Sequence, residues 1–202
     1  MILPGSKSVR SDLAWLREAG WDRAIAKHLR YGGKLIGICG GFQMLGAYID
    51  DPLGIEGEAG SSPGLGYFDL HTELKAQKRL TRVTGKLCRD KATVTGYEIH
   101  AGVSAGSALN EPFAIINESP EGATHEGAVH EGAVSADDAI IGTYLHGVFD
   151  HDKSRASLLH WAGLETDYPF NYGEYVDQQL ERLADTLEQH LDIPEILANI
   201  GR

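Results

Sequence analysis

Lys34-Leu35-Ile36-Gly37-Ile38-Cys39-Gly40-Gly41-Phe42-Gln43-Met44-Leu45 reads as a short apolar strand, a cysteine set between glycines, and the start of a helix. The pattern G-x-C-x-G has the layout of a nucleophile elbow, a sharp strand-to-helix turn that lifts a side chain off a sheet. Such a turn also aims the backbone N–H groups that follow at the point where an oxyanion would form. Glycines suit both sides because the turn is tight and a substrate must come close. The helix N-terminus is expected to lower the thiol pKa and favour the thiolate. A cysteine in an apolar strand is usually buried filler; the paired glycines and the strand-then-helix context favour the reactive reading of Cys39.

A nucleophile needs a base. Ile140-Ile141-Gly142-Thr143-Tyr144-Leu145-His146-Gly147-Val148-Phe149 carries an apolar strand straight into a histidine. In open α/β sheets functional groups gather at the carboxyl ends of strands, so His146 and Cys39 are candidates to converge there.

Around these two segments the chain alternates helices and strands. Ser8 or Ser11 can cap a helix to about Ala19, and Asp22 a second one to Tyr31, ended by Gly32-Gly33. The elbow helix is expected to run to about Ile49. Residues 50–66, rich in Gly, Pro and Ser, read as a loop. β-Branched alternation predicts antiparallel strands over Leu80–Leu87 and Ala92–Ile99, with further strands at Phe113–Asn117 and Ala139–Tyr144. Lys153–Ala162 reads as a helix. Asn171 can cap a long one carrying Val176, Leu180, Leu183, Leu187 and Leu191, and Pro194 a last short one. These terminal helices read as core-packing elements. The sum is an α/β fold, a mostly parallel sheet with helices on both faces and an antiparallel β insert, with residues 1–202 as one domain.

A length of 202 residues with 42% hydrophobic content suits a domain with a substantial core. No apolar run reaches membrane length, and no signal peptide is visible. Two cysteines, Cys39 and Cys88, make no disulfide framework, and a working thiolate suits a reducing cytoplasm. Cys88 reads as filler at a strand end. A net charge of −11 argues against nucleic acid and anionic membranes as partners. The tandem His125-Glu126-Gly127-Ala128-Val129 and His130-Glu131-Gly132-Ala133-Val134 sets two His–Glu pairs five residues apart. A duplicated hairpin segment is a plainer account than a metal site, and no metal is expected.

The segment Gly37-Ile38-Cys39-Gly40-Gly41-Phe42-Gln43 resembles the nucleophile motif of class I (triad-type) glutamine amidotransferases. Three more blocks narrow the resemblance to the C-terminal amidotransferase domain of the cobyric acid synthase family: Leu3-Pro4-Gly5-Ser6-Lys7-Ser8, Gly96-Tyr97-Glu98-Ile99-His100-Ala101-Gly102, and Gly142-Thr143-Tyr144-Leu145-His146-Gly147-Val148-Phe149-Asp150. The blocks follow the family's order and span most of the chain. The resemblance implies a flavodoxin-like class I fold and a glutaminase that feeds an amidation. Cys39 would be the nucleophile and His146 the base. Gly5 and Gly40 would offer oxyanion N–H groups, Gln43 would contact the glutamine substrate, and His100 would brace the site floor.

Two departures qualify it. Most class I members carry a glutamate two residues after the histidine, where this chain has Val148. The expectation is a Cys–His dyad, with Glu98 and Asp150 as candidate orienting acids, for each of which a solvated or turn-capping carboxylate is the plainer reading. The chain also opens at Met1-Ile2-Leu3, where the family has earlier strands and a whole synthetase domain. It is therefore expected to be an N-terminally truncated fragment, with the native status of Met1 left open. No G-x-x-x-x-G-K-[ST] pattern occurs, so ATP and magnesium are expected only in the synthetase domain, of the same or a partner chain. The implied acceptor is a corrinoid, adenosylcobyrinic acid a,c-diamide. Cobyrinic acid diamidation, a cell-wall lipid intermediate and a non-catalytic docking domain stand as alternatives.

Overall fold

A computed structural model describes residues 1–118, 128–165 and 170–200 of the chain. These fall into two units, Met1–Thr166 and Asp167–Arg202. In chain order the first holds β1 (Ile2–Leu3), α1 (Val9–Glu18), α2 (Trp21–Arg30), β2 (Leu35–Ile38), α3 (Gly40–Leu45), β3 (Tyr48–Asp51), β4 (Gly60–Pro63), β5 (His71–Leu87), β6 (Thr93–Ala105), β7 (Ala114–Glu118), β8 (Ala128–Glu131), β9 (Ala133–Val134), β10 (Ile140–Thr143), β11 (Leu145–His146) and α4 (Asp152–Trp161).

Two sheets share this unit. The first has the order β1-β2-β10-β9; β1, β2 and β10 are parallel and β9 joins antiparallel. Its strands are continuous apolar runs, as strands covered on both faces require. Leu3, Leu35 and Ile140 face one cluster with Val9, Leu13 and Leu16 of α1, Ile25 of α2 and Phe42 of α3. Ile36 and Ile141, one residue on, face the other cluster with Leu158 and Trp161 of α4. Helices thus cover both faces of a parallel sheet, as the alternation of elements implies.

The second sheet is the larger. Its order is β11-β6-β5-β3-β4, with β7 on β5 and β8 on β7. The pairings are antiparallel except for β3 beside β5. The expected insert strands are far longer than their β-branched cores, since β5 begins at His71 and β6 ends at Ala105. Long-range pairing extends them past the residues that favour strand on their own.

The local differences have similar causes. The elbow helix stops at Leu45 rather than near Ile49, because Gly46 is extended and the Ala47 N–H is taken by the Leu70 carbonyl at 2.8 Å. The 50–66 segment forms a hairpin between β3 and β4. Gly20, with φ 79°, begins α2 in place of Asp22. Of the duplicated segment, residues 125–127 lie outside the described residues; β8 joins the end of the first copy to the start of the second, which continues through a turn at Gly132 into β9.

In the second unit, α5 (Tyr172–His190) is capped as expected, the Asn171 side-chain oxygen accepting the Glu174 N–H at 3.1 Å. A short α6 (Ile193–Ile200) follows. Leu180, Leu183, Leu187 and Leu191 are all exposed, which corrects their reading as core residues. A 3.6-residue stripe specifies a face but names no partner for it. No helix among the described residues is long and apolar enough to cross a membrane.

Candidate active site

Strand β2 delivers Cys39 into the turn before α3 with φ 53° and ψ −111°. Positive φ is rare for a side chain with a Cβ and costs on the order of 1–3 kcal/mol, a strain that persists only where the surroundings impose it. Here they do. The Cys39 N–H donates to the Thr143 carbonyl at 2.8 Å, tying the turn to the end of β10, and its carbonyl accepts the Gln43 N–H at 3.1 Å as α3 begins. Gly40 packs on the Pro4-Gly5-Ser6 turn so closely that a Cβ there would lie 2.8 Å from the Ser6 nitrogen. A Cβ on Gly5 would lie 3.6 Å from the Cys39 Cβ and 3.4 Å from the His146 Cε1. Gly5, the Cys39-Gly40 pair and His146, far apart in sequence, are thus brought to one place.

The thiol is 7% exposed, and its sulfur lies 3.4 Å from the Ile99 carbonyl. Burial pushes its pKa up; the Gly40 N–H pulls it down and the Glu56 charge adds to the rise, and burial wins. The expectation of a thiol lowered by a helix N-terminus is therefore corrected. One helpful N–H from a helix of six residues does not offset desolvation.

His146 reaches this place because the chain changes sheets. It leaves the parallel sheet at Thr143 and enters the antiparallel one as β11, with His146 opposite Tyr97 and Leu145 opposite Glu98 on β6. The imidazole lies parallel to the Tyr97 ring, with centroids 5.6 Å apart. Its Nε2 is buried and has no hydrogen-bond partner among the described residues.

The other sequence candidates sit around this centre. Gln43 is 3% exposed, its amide donating to the Tyr144 hydroxyl at 3.4 Å and packed so tightly on Gly102 that a Cβ there would overlap it. The Tyr144 hydroxyl also bonds Ser104 at 2.5 Å, which bonds Thr72 at 2.7 Å, and His100 stacks on the Tyr144 ring at 4.0 Å. Glu98 is 6% exposed, which corrects its reading as a solvated carboxylate. Strand alternation puts it with Leu145 on the buried face, opposite the face that carries Tyr97 and His146. Asp150 is exposed in the turn after His146, its carboxylate beside Gly147 and its N–H on the Gly147 carbonyl at 2.9 Å. Its backbone closes the turn.

Sequence reasoning missed Glu131, which is fully buried and bonds Thr143 and Tyr144. A carboxylate within the apolar run Ala128–Val134 was the available signal, masked by the apparent duplication. No group of three potential metal ligands occurs among the described residues.

Among known proteins, one solved structure described as a glutamine amidotransferase is 17% identical to this chain. The match covers 81% of this chain and 78% of that one, with a TM-score of 0.47. The pattern of the CobB/CobQ-like glutamine amidotransferase domain matches residues 1–154, every residue of the site included, and the chain belongs to that family of glutamine-hydrolysing enzymes.

Proposed function

We propose that Cys39 and His146 carry out the glutaminase half-reaction of a cobyric acid synthase, supplying ammonia to an ATP-dependent synthetase domain of the same or a partner chain. The observation that carries this reading is the strained Cys39 turn with Gly5, Gly40 and His146 gathered around it. Because burial keeps the resting thiol protonated, attack requires a base. His146 takes the thiol proton as sulfur bonds to the side-chain amide carbon of glutamine. N–H groups of Gly40 and Gly5 hold the oxyanion. The proton passes from His146 to the departing nitrogen, ammonia leaves, and a glutamyl thioester remains. Water, deprotonated through His146, cleaves it to glutamate and restores the thiol. Gln43 supports the glutamine site through Tyr144 rather than from an exposed position.

The acceptor, adenosylcobyrinic acid a,c-diamide, follows from the four sequence blocks and needs no corrinoid site in this chain. The ammonia stays in the cytoplasm, where the synthetase uses it. Cys39→Ser tests the chemistry: glutamate release from glutamine should be abolished with the fold intact, and a glutamine-like chloroketone should label Cys39 and spare Cys88. Labelling of Cys88, or an active Cys39→Ser, overturns the reading; a natural chain that releases no glutamate favours a docking role. Supplied with a synthetase domain and ATP, the chain should support amidation of the a,c-diamide. Amidation of unmodified cobyrinic acid, or of a cell-wall lipid intermediate in its place, selects an alternative acceptor.

A further inference from the structure

Glu131 is a fully buried carboxyl that this reaction does not use. It ends β8, and Gly132, with φ 71°, turns the chain from the antiparallel sheet into the parallel one. Its two oxygens lie 2.9 and 3.0 Å from the Thr143 hydroxyl, and one accepts the Tyr144 N–H at 2.6 Å. The Thr143 hydroxyl oxygen in turn accepts the Leu145 N–H at 3.0 Å.

These are the residues at which the chain crosses from β10 to β11. Backbone groups at such a crossing have left one ladder before joining the next, and a buried group without a partner costs about 1–3 kcal/mol. Glu131 supplies the missing acceptors. The same crossing accepts the Cys39 N–H through the Thr143 carbonyl, and His146 is the next residue after Leu145. One carboxyl thus braces the backbone from which both halves of the site depend.

The choice of residue costs stability. Burial, helped by the nearby Glu98 charge and opposed by its hydrogen bonds, raises the Glu131 pKa to about 8. An apolar side chain would fill the space without that penalty, but it would accept no hydrogen bond from the crossing.

We propose that Glu131 is a positioning residue for glutamine hydrolysis, clamping the Thr143–Leu145 crossing so that His146 is held in reach of Cys39. This rests on the assignment of Cys39 and His146 as the reacting pair.

The test measures kcat and KM for glutamate release by the full chain and its Glu131→Ala, Glu131→Gln, Thr143→Val and His146→Ala variants, with near-UV circular dichroism to establish folding. A misplacement of a reacting group by about 1 Å can cost roughly 10²-fold. Glu131→Ala is expected to lower kcat by about tenfold or more with little change in KM. Glu131→Gln keeps an oxygen for the Tyr144 N–H and an NH2 for the Thr143 hydroxyl, and should recover most of the loss. Thr143→Val should repeat the loss, and it carries the test if Glu131→Ala does not fold. A folded Glu131→Ala or Thr143→Val with unchanged kcat overturns the proposal. So does a Glu131→Gln variant that folds yet is as slow as His146→Ala. Full activity in His146→Ala would instead remove the base assignment, a separate failure.

Discussion

Two neighbouring parallel strands reach the site by opposite means. At the end of β2, Cys39 is set by its own neighbours. Glycines follow it, α3 begins at the next residue, and the 53° φ angle belongs to a turn closed within a few positions. At the end of β10, His146 is set from a distance. The crossing from Thr143 to Leu145 is held by a carboxyl twelve residues earlier in the chain, on a strand of the other sheet. The first device is local and steric; the second is tertiary and made of hydrogen bonds. They meet where the Cys39 N–H donates to the Thr143 carbonyl.

The sharpest way to break the local device is Gly40→Ala. The new methyl would sit 2.8 Å from the Ser6 nitrogen and about 3.0 Å from side-chain atoms of Ser6 and Val9. Either the elbow or the Pro4-Gly5-Ser6 turn must move, and both carry proposed oxyanion donors. Loss of one such donor costs about 10²–10³ in kcat, so a loss of that size is expected in steady-state glutamate release. A Gly40→Ala enzyme within tenfold of the original would show that the contact is slack and the elbow less determined than its backbone angles imply.

The same contrast explains what could be read in advance. The elbow, its strand and the histidine segment are patterns of adjacent residues, and they were visible as such. The helices on both faces were also visible, as segments set off by capping residues and glycines that the structure shows as α1, α2 and α4. The length of β5 and β6 was hidden, since His71–Leu74 joins the sheet through partners distant in sequence, Tyr48–Asp50 on β3 and Gly102–Ala105 on β6. The Glu131 clamp was hidden for the same reason: a carboxylate in a Gly-Ala-Val repeat gains meaning only once Thr143 is beside it. The leucines of α5, with Leu191 that ends it, show the converse, a legible stripe whose four leucines stay exposed.

The tertiary device should declare itself through pH. Glu131, with its folded pKa near 8, holds its proton more tightly in the folded chain than in the unfolded one, where its ordinary value is 4.5. Between those values the folded state binds more protons, so its stability falls as pH rises. The contribution is complete below the window and lost above it. Among the described residues, Thr143, the Tyr144 and Leu145 N–H groups and Glu98 act on Glu131, and its charge reaches the Cys88 thiol. Glu131→Gln cannot ionise and should lack this slope. From pH 5 to 8 the urea midpoint of the natural chain should drop relative to Glu131→Gln by on the order of 1 M, given m-values of about 1–3 kcal/mol/M. Parallel midpoints across that range would mean that the carboxyl is ionised in place and that the clamp carries a charge.

Asp150 gives the smallest effect and sharpens the boundary of the tertiary device. It lies four residues beyond His146, near enough for a role in orienting the imidazole. Yet it is exposed, its carboxylate sits against Gly147, and its backbone closes the turn through the Gly147 carbonyl. A carboxylate that oriented the base would contribute toward the 10²–10⁴-fold that general acid–base help is typically worth. One that only rounds a turn before α4 should contribute far less. Asp150→Asn keeps the shape and removes the charge, so a change in kcat of less than about threefold is expected, with the pH profile unmoved. A larger loss in a folded protein, accompanied by a shift of the basic or acidic limb of the profile, would extend the machinery that sets His146 past the crossing and into the turn that follows it. It would also make Glu131 one of two carboxyls acting on the same histidine, one through the backbone and one through the ring. The double variant Asp150→Asn, Glu131→Ala then decides between them. Independent actions multiply their losses, whereas two braces on one imidazole give less than the product, since a ring already displaced has little left to lose.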